Sequence, residues 1–274
     1  MKAIISHDID HITVSEHLFR DIILPKYFMR MHIELFSGKI STREYILRWS
    51  DIFKNKWQNI DELITFNNIY KVPSSFFVAV NKGVGLNYSN LSAAVWIEQM
   101  LNRKCELAIH GIAFDDQKHI QDEYNLFQHL TNQSQFGIRM HYVRNTENTY
   151  QMLAKAGYLY DSTEHAFKNP YKIGAMWEFP FQIMDGWVIE NYKSWQSMNL
   201  EQAKQNTIKL IDKAAQSNIQ FLGIDFHDRY FSHSFKTWLE WYMWLVEYLK
   251  GNGVEFVNFK QAIQELESYD AHGK

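Results

Sequence analysis

The feature that most constrains the fold is an alternation of short apolar runs and helical segments along the whole chain. Strand-like runs occupy residues 2–7, 72–80, 106–110, 136–142, 158–161, 177–181, 219–226 and 254–257, and residues 187–189 are a further candidate. Helical periodicity fills the intervals between them. This alternation is typical of a parallel sheet with crossover helices, and seven or eight repeats favour a closed or nearly closed barrel over an open sheet.

One interval is longer than a crossover needs. About 60 residues separate the first strand from the second, whereas a simple crossover needs about a dozen or more. The excess is helical, over residues 13–36, from a capping box at Ser41–Glu44, and over residues 60–70. It leaves from the carboxyl end of the first strand, the face on which barrel active sites lie. We therefore predict one α/β barrel domain over residues 1–274, with a helical insertion at about residues 12–70 beside its mouth.

Composition excludes several classes of protein. The net charge of -3 gives no electrostatic case for nucleic acid as a partner. The single cysteine, Cys105, excludes an internal disulfide framework and a cysteine-rich zinc site. No apolar run approaches the ~20 residues of a membrane span, and the first residues do not read as a signal peptide, so we expect a cytoplasmic protein. The 12 histidines would support metal or proton chemistry if they converge.

Polar side chains end five of the predicted strands. Asp8 and Asp10 follow the first strand and share parity, so they point to the same side of an extended chain. His110 ends the third predicted strand and is followed by a glycine that permits a close turn. The other three ends read Arg-Met-His-Tyr142, Tyr-Asp161 and Asp-Phe-His-Asp228. Because the carboxyl ends of barrel strands converge on one mouth, these groups predict an active site there.

In this order the motifs resemble those of the polysaccharide deacetylase superfamily, carbohydrate esterase family four with its NodB-homology domain. The resemblance spans roughly residues 2–260 and includes Pro-Ser-Ser-Phe-Phe-Val78, which is similar to the second strand of that family. It implies a distorted seven-stranded barrel and a divalent metal, commonly zinc. It also implies hydrolysis of acetyl groups from an N- or O-acetylated sugar or polysaccharide precursor, which would be the substrate.

The resemblance assigns roles to matching residues. Asp8 corresponds to the catalytic base, and Arg139 to the side chain that orients it. Tyr142 corresponds to the residue whose backbone N–H helps to form the oxyanion hole. Asp161, with Asp228 as the alternative, would polarise an acid histidine, His227, which stands two residues later than the family spacing. The expected metal ligands are Asp10, His110 and, as a candidate third, His11.

One departure puts the metal site in question. The family places a second histidine four residues after the first, and here that position is Phe114. His11 follows Asp10 directly and could replace it. Other candidates lie near the motifs: Asp115, Asp116, His119, His141 and His165. Without a replacement, metal affinity would be weakened or lost. Phe114 itself and Glu178, which lies near a predicted strand end, are candidates for contact with substrate.

Two other functions compete with a deacetylase. A relative that binds a glycan without cleaving it would explain Phe114, and a hydrolase of another C–N bond could use the same motifs. In the predicted insertion, Phe28, Met29 and Met31 form either internal packing or an interface patch rather than a ligand site.

Overall fold

A parallel sheet runs through the molecule. A computed structural model describes residues 1–18 and 21–272, with side chains to residue 268. The strands are β1 (Lys2–Ile9), β2 (Ser75–Val78), β3 (Glu106–Gly111), β4 (Ile138–Met140), β5 (Tyr160–Asp161), β6 (Tyr171–Ile173), β7 (Met176–Glu178), β8 (Ile183–Met184), β9 (Phe221–Asp225) and β10 (Glu255–Phe256). The hydrogen-bonded order is β6-β7-β5-β4-β3-β2-β1-β9-β8, and β10 also pairs with β1.

Helices connect the strands and cover the sheet. They are α1 (Ile23–Phe36), α2 (Thr42–Phe53), α3 (Ile60–Tyr70), α4 (Asn90–Asn102), α5 (Gln117–Thr131), α6 (Thr149–Ala156), α7 (Asp185–Glu190), α8 (Leu200–Gln216), α9 (Lys236–Gly251) and α10 (Phe259–His272). None of the helices in the described residues is both long and apolar enough to cross a membrane.

The register of the parallel pairs brings the strand ends together. Asp8 of β1 stands opposite Phe77 of β2, and Ser6 stands opposite Asp225 of β9. His110 of β3 stands opposite Arg139 of β4. Every strand pair is parallel except β6 with β7. The predicted parallel sheet with crossover helices is therefore confirmed, and its polar strand ends share one edge.

Some local predictions need correction. Residues 187–189, a predicted strand, lie inside α7, where the ring of Trp187 stacks on Phe181 at a centroid distance of 5.5 Å. A three-residue apolar run carries no periodicity that separates helix from strand. The helix predicted over residues 13–36 begins at Ile23 and is preceded by a 3-10 turn at Val14–His17; its residues 19 and 20 lie outside the described part of the chain. The strands β6 and β8 were not predicted.

Capping boxes explain two of the helix starts, and the one at Ser41 is predicted from the sequence. The Ser41 hydroxyl accepts a hydrogen bond from the Glu44 backbone N–H at 3.2 Å, and the Glu44 carboxylate accepts one from the Ser41 N–H at 2.9 Å. Asn199 and Gln202 form the same reciprocal pair at the start of α8. Each pair satisfies backbone donors that a helix start otherwise leaves unpaired.

The three helices between β1 and β2 occupy the interval that the sequence marks as inserted. A buried ion pair between Arg48 of α2 and Glu34 of α1 joins the first two helices. Arg48 Nε also donates to the Ser234 carbonyl at 2.8 Å, and Arg30 Nη1 pairs with Glu190 of α7 at 2.8 Å. These contacts fix the insertion against the elements that follow β8 and β9.

Candidate active site

A cavity of about 560 Å³ opens at the carboxyl ends of the parallel strands. Its floor carries Asp8 and Asp10 from the end of β1, with His110 of β3, Arg139 of β4 and His227 just after β9. Residues of α1 form part of its wall. The polar strand ends therefore converge at one cavity, as the sequence predicts, and the insertion lies beside this cavity.

Three potential metal ligands converge in this cavity. His110 Nε2 lies 3.2 Å from Asp10 Oδ1, and His141 Nδ1 lies 3.4 Å from the same oxygen. The two ring nitrogens are 2.8 Å apart. Zinc binds histidine and carboxylate ligands at about 2.0–2.1 Å, so two ligands of a tetrahedral site lie about 3.3 Å apart. The two separations from Asp10 match this value, and the shorter contact between the imidazoles is a hydrogen bond, so the three atoms lie close enough together to bind one small divalent cation.

The surroundings of these atoms support the same fit. Asp10 Oδ1 is buried and has no hydrogen-bond partner among the described residues. His141 Nε2 donates to the Val84 carbonyl at 3.2 Å, which leaves the Nδ1 lone pair directed at Asp10 and His110. Burial lowers the pKa of His141 to about 4, so its ring is neutral. Burial also disfavours charge on His110, but the charges of Asp8 and Asp10 raise the pKa of His110 above its usual value, so a metal bound there would displace a proton from His110. Two imidazoles and a carboxylate form a donor set suited to zinc and related divalent metals.

A carboxylate pair bridged by arginine lies beside the ligand group. Arg139 Nη1 donates to Asp8 Oδ1 at 2.9 Å and to Asp225 Oδ1 at 2.8 Å. Burial raises the pKa of Asp8, but the charges of His110 and Arg139 outweigh it and hold that pKa below its usual value. For Asp225, burial and the charge of Asp8 prevail and raise the pKa to about 7. Asp8 is therefore the carboxylate able to accept a proton at neutral pH.

Arg139 is itself held rigidly. Its Nε donates to the Ser162 carbonyl at 2.9 Å, and its guanidinium lies 4.3 Å from the centre of the Phe77 ring. The side chain is almost completely buried. These contacts fix the direction in which Arg139 presents Asp8 to the cavity.

An acid–histidine pair lies on the other side of the ligand group. His227 Nδ1 donates to Asp185 Oδ1 at 2.9 Å, and the His227 backbone N–H donates to Asp185 Oδ2 at 2.9 Å. Burial lowers the pKa of His227, but the charge and hydrogen bond of Asp185 outweigh it and hold the pKa well above its usual value. Its Nε2 lies 3.7 Å from Asp10 Oδ2. His227 is therefore a protonated donor aimed at the ligand group.

Tyr142 lines the same cavity from the turn that follows β4. Its backbone is left-handed, with φ 57°, and the next residue, Val143, has φ 56°. Left-handed backbone in two consecutive residues other than glycine is costly and tends to occur at functional sites. Tyr142 therefore lines the cavity with an unusual backbone conformation.

The carboxylates of Asp161 and Asp228, which were expected to orient His227, make other hydrogen bonds, and the His227 ring bonds Asp185 instead. Asp161 Oδ1 accepts a hydrogen bond from Thr163 Oγ1 at 2.6 Å, and Asp161 also bonds Glu178. Asp228 Oδ2 accepts the Asn59 backbone N–H at 3.1 Å and so holds the start of α3. The expectation failed because the partner of His227 comes from the start of α7, a helix that no sequence signal predicted and whose residues 187–189 were a strand candidate.

His11, the expected third metal ligand, does not belong to the group of potential ligands. His11 Nδ1 lies 3.0 Å from His17 Nε2 in a hydrogen bond, and the His11 ring packs against Trp57. His141 takes the place beside Asp10 and His110 instead. The other candidates lie elsewhere: Asp116 caps α5 through the His119 N–H at 2.8 Å, and the His165 ring packs on Trp187.

The two residues expected to contact substrate are outside the cavity. Glu178 is completely buried and bonds Asp161 and the Glu164 backbone N–H. Phe114 lines a separate depression, where the guanidinium of Arg144 lies 4.8 Å from its ring centre. Neither side chain lines the cavity that holds the ligand group, so both expectations were wrong.

Two residues of the site had weak sequence signals. His141 stands two residues after Arg139, within the same motif, so only its orientation was missing. Asp185 had no motif, because it belongs to a short helix after a two-residue strand.

Solved structures show which known fold this chain has. A protein classed as a polysaccharide deacetylase from Mycobacterium smegmatis matches with a TM-score of 0.62 at 13% identity, over 98% of this chain and 91% of that one. One so classed from Pseudomonas aeruginosa PAO1 matches with a TM-score of 0.56 at 18% identity, over 74% and 71%. Puue allantoinase matches with a TM-score of 0.61 at 14% identity, over 95% and 87%.

Comparison of the sequence itself with family models and with curated proteins finds no match. The structural matches nevertheless confirm the predicted fold: the chain has the distorted α/β barrel of the polysaccharide deacetylases. Their identities are so low that the likeness concerns the fold alone.

Proposed function

We propose that the chain is a divergent member of the polysaccharide deacetylase superfamily, a metal-dependent hydrolase that removes an acetyl group from an N- or O-acetylated sugar or polysaccharide precursor. One observation carries the proposal. Asp10, His110 and His141 form a three-ligand group, and a base pair and an acid pair flank it within one cavity. A hydrolase of this kind needs all three parts within reach of one acyl carbon.

Asp10, His110 and His141 would hold the metal, with zinc the metal that best suits the donor set. A divalent metal bound there would polarise the acyl carbonyl and lower the pKa of a bound water. With His141 as the third ligand, the site would not need the histidine expected at Phe114, and this weakens the main argument for a glycan-binding protein without activity.

The remaining residues would divide the proton transfers. Asp8, oriented by Arg139, accepts the proton of the water that attacks the acyl carbon. The Tyr142 backbone N–H donates to the acyl oxygen as negative charge develops on it. His227, held by Asp185, protonates the departing sugar nitrogen or oxygen as its bond to the acyl carbon breaks. The products are acetate and the deacetylated sugar.

Acetate release from acetylated sugars tests the proposal. We expect Asp8→Asn to lower kcat by about 10²–10⁴, the range for loss of a general base, and a chelator to abolish turnover that zinc restores. Asp212→Asn, an exposed change on α8, is the matched control and should turn over like the wild type. Equal turnover by Asp8→Asn and the wild type would overturn the assignment.

A second candidate function is hydrolysis of another C–N bond, such as that of a small amide. It is favoured by the likeness to Puue allantoinase, whose TM-score nearly equals that of the first deacetylase structure. The same residues would serve either reaction. Turnover of small amides with no release of acetate from sugars would favour this second function.

A further inference from the structure

The outer face of the insertion carries an apolar surface that the proposed reaction does not use. We define the insertion surface as Phe28, Met29, His32, Phe36, Tyr45, Ile46, Trp49 and Phe53. Its most exposed members are Phe36, at 84% exposure, and Phe53, at 82%; Ile46 and Met29 are 60% and 57% exposed. Such exposure of large apolar side chains on neighbouring helices marks a site of interaction rather than ordinary scatter.

The spacing of these residues places them on one face of each helix. On α1, Met29, His32 and Phe36 are three and seven residues apart, and on α2, Ile46, Trp49 and Phe53 repeat that spacing. Ring contacts join the two rows. Phe28 stacks on Trp49 at 5.1 Å, and His32 meets Tyr45 at 5.6 Å. The insertion surface is therefore continuous, and the buried pair of Glu34 with Arg48 beneath it keeps the two helices together.

Within residues 21–56, the charged side chains that are classed as exposed are all basic. Residues 21–56 contain seven Lys or Arg and four Asp or Glu, a net charge of +3 in a chain whose total is -3. The exposed basic residues are Lys26, Lys39, Arg43 and Lys54. Within residues 21–56, all of which the structure describes, the four acidic side chains are buried or half-buried. The face presented to solvent is therefore apolar and positively charged.

The insertion surface also reaches the cavity. Met29 belongs to both, and Lys26 and Ile33 of the same helix line the cavity wall. Any partner that binds the insertion surface would consequently lie beside the mouth of the candidate active site.

We propose that the insertion surface docks on an anionic lipid membrane. Aromatic and aliphatic side chains on a helix face enter the boundary between headgroups and acyl chains, and lysine and arginine beside them are attracted to anionic headgroups. The exposed basic residues distinguish this occupant from a second copy of the chain, whose net charge is negative but whose matching surface is positive. The docking concerns the surface alone and does not depend on the proposed reaction.

Co-sedimentation of the full chain with vesicles tests the docking. The wild type should bind vesicles of equal parts phosphatidylcholine and phosphatidylglycerol, bind pure phosphatidylcholine more weakly, and lose binding as salt is raised. The double variant Phe36→Ser with Phe53→Ser should reduce partitioning at least about tenfold, because two phenyl rings no longer enter the lipid. Both side chains are too exposed to contribute much to folding. Leu91→Ser, at a residue of α4 that is 78% exposed, is the matched control and should bind as the wild type.

A charge variant tests the electrostatic part. Arg43→Glu with Lys54→Glu should remove the preference for the anionic vesicles. Three outcomes would overturn the proposal. The wild type could bind neither kind of vesicle, or the double phenylalanine variant could bind as well as the wild type. The third is that light scattering shows a wild-type dimer, which the double phenylalanine variant dissociates, while neither protein binds vesicles. Acetate release is measured in a separate experiment. The vesicle-binding result can therefore be interpreted even if the hydrolase proposal fails.

Discussion

Two pairs of carboxyl groups lie at the ends of parallel strands of the same sheet, yet their pKa values are shifted in opposite directions. At the end of β1, Asp8 and Asp10 face basic groups across the cavity. At the ends of β5 and β7, Asp161 and Glu178 stand opposite each other, completely buried, and we call these two residues the sealed pair. Both pairs come from the same kind of sequence pattern, an apolar strand that finishes in an acid.

The neighbours decide the difference. Burial raises the pKa of every one of these acids, but His141 and His110 hold the pKa of Asp10 well below its usual value. Burial and the charge of Asp161 instead raise the pKa of Glu178 well above its usual value, and the neutral Glu178 carboxyl bonds Asp161. The first pair can hold a cation and accept protons, whereas the second is a hydrogen-bonded support within the sheet. A polar strand end thus predicts chemistry only where groups of opposite charge face it.

The largest expected effect concerns the third metal ligand. His141→Ala should weaken zinc binding by more than about 100-fold, since loss of a ligand exceeds the effect of losing an outer partner. His11→Ala is the matched control and should leave zinc affinity close to the wild type, because His11 bonds His17. Titration with zinc against a competing chelator measures both. If His11→Ala weakened zinc binding more than His141→Ala, His11 rather than His141 would be the third ligand.

A smaller effect is expected at the partner of His227. Asp185→Asn should lower kcat by about 10²-fold, because His227 loses its orientation and the charge that keeps it protonated. The pKa of His227 should fall, so the alkaline limb of the kcat/KM profile should move to lower pH. Asp161→Asn, the same change in the sealed pair, should leave that limb in place. A shift in the Asp161 variant instead would contradict the assignment of Asp185.

The smallest effect concerns the sealed pair itself. Because the folded pKa of Glu178 is raised above the usual 4.5, the folded state keeps a proton that the unfolded state releases above that pH. Stability from this group is complete below about pH 4.5 and falls as pH rises, by up to about 1.4 kcal/mol per pH unit. Glu178→Gln keeps the donor to Asp161 and should flatten this slope.

Urea unfolding at several pH values from 5 upward measures the slope for the wild type and for Glu178→Gln. Glu201→Gln, an exposed change at the start of α8, is the control and should keep the wild-type slope. Parallel slopes for the wild type and Glu178→Gln would show that Glu178 ionises normally in the folded protein.

Much of the fold follows from local sequence. The apolar runs before Asp8, His110 and Asp225 predict buried strands because parallel strands covered on both faces must be apolar throughout. The capping boxes at Ser41 and Asn199 predict helix starts because the cap and the third residue satisfy each other locally. The short strand β8 and the helix α7 lack such signals, and with them the sequence missed Asp185.

The sequence by itself determined a parallel barrel with a helical insertion, and it marked Asp8, Asp10, His110, Arg139 and His227 as a set, because strand ends share one edge whatever the details. Only the tertiary structure decided that His141 rather than His11 completes the ligand group and that Asp185 holds His227. It also decided that Glu178 is completely buried opposite Asp161. Those outcomes depend on side-chain direction and on distances between residues far apart in the chain, and residue type and spacing leave both open.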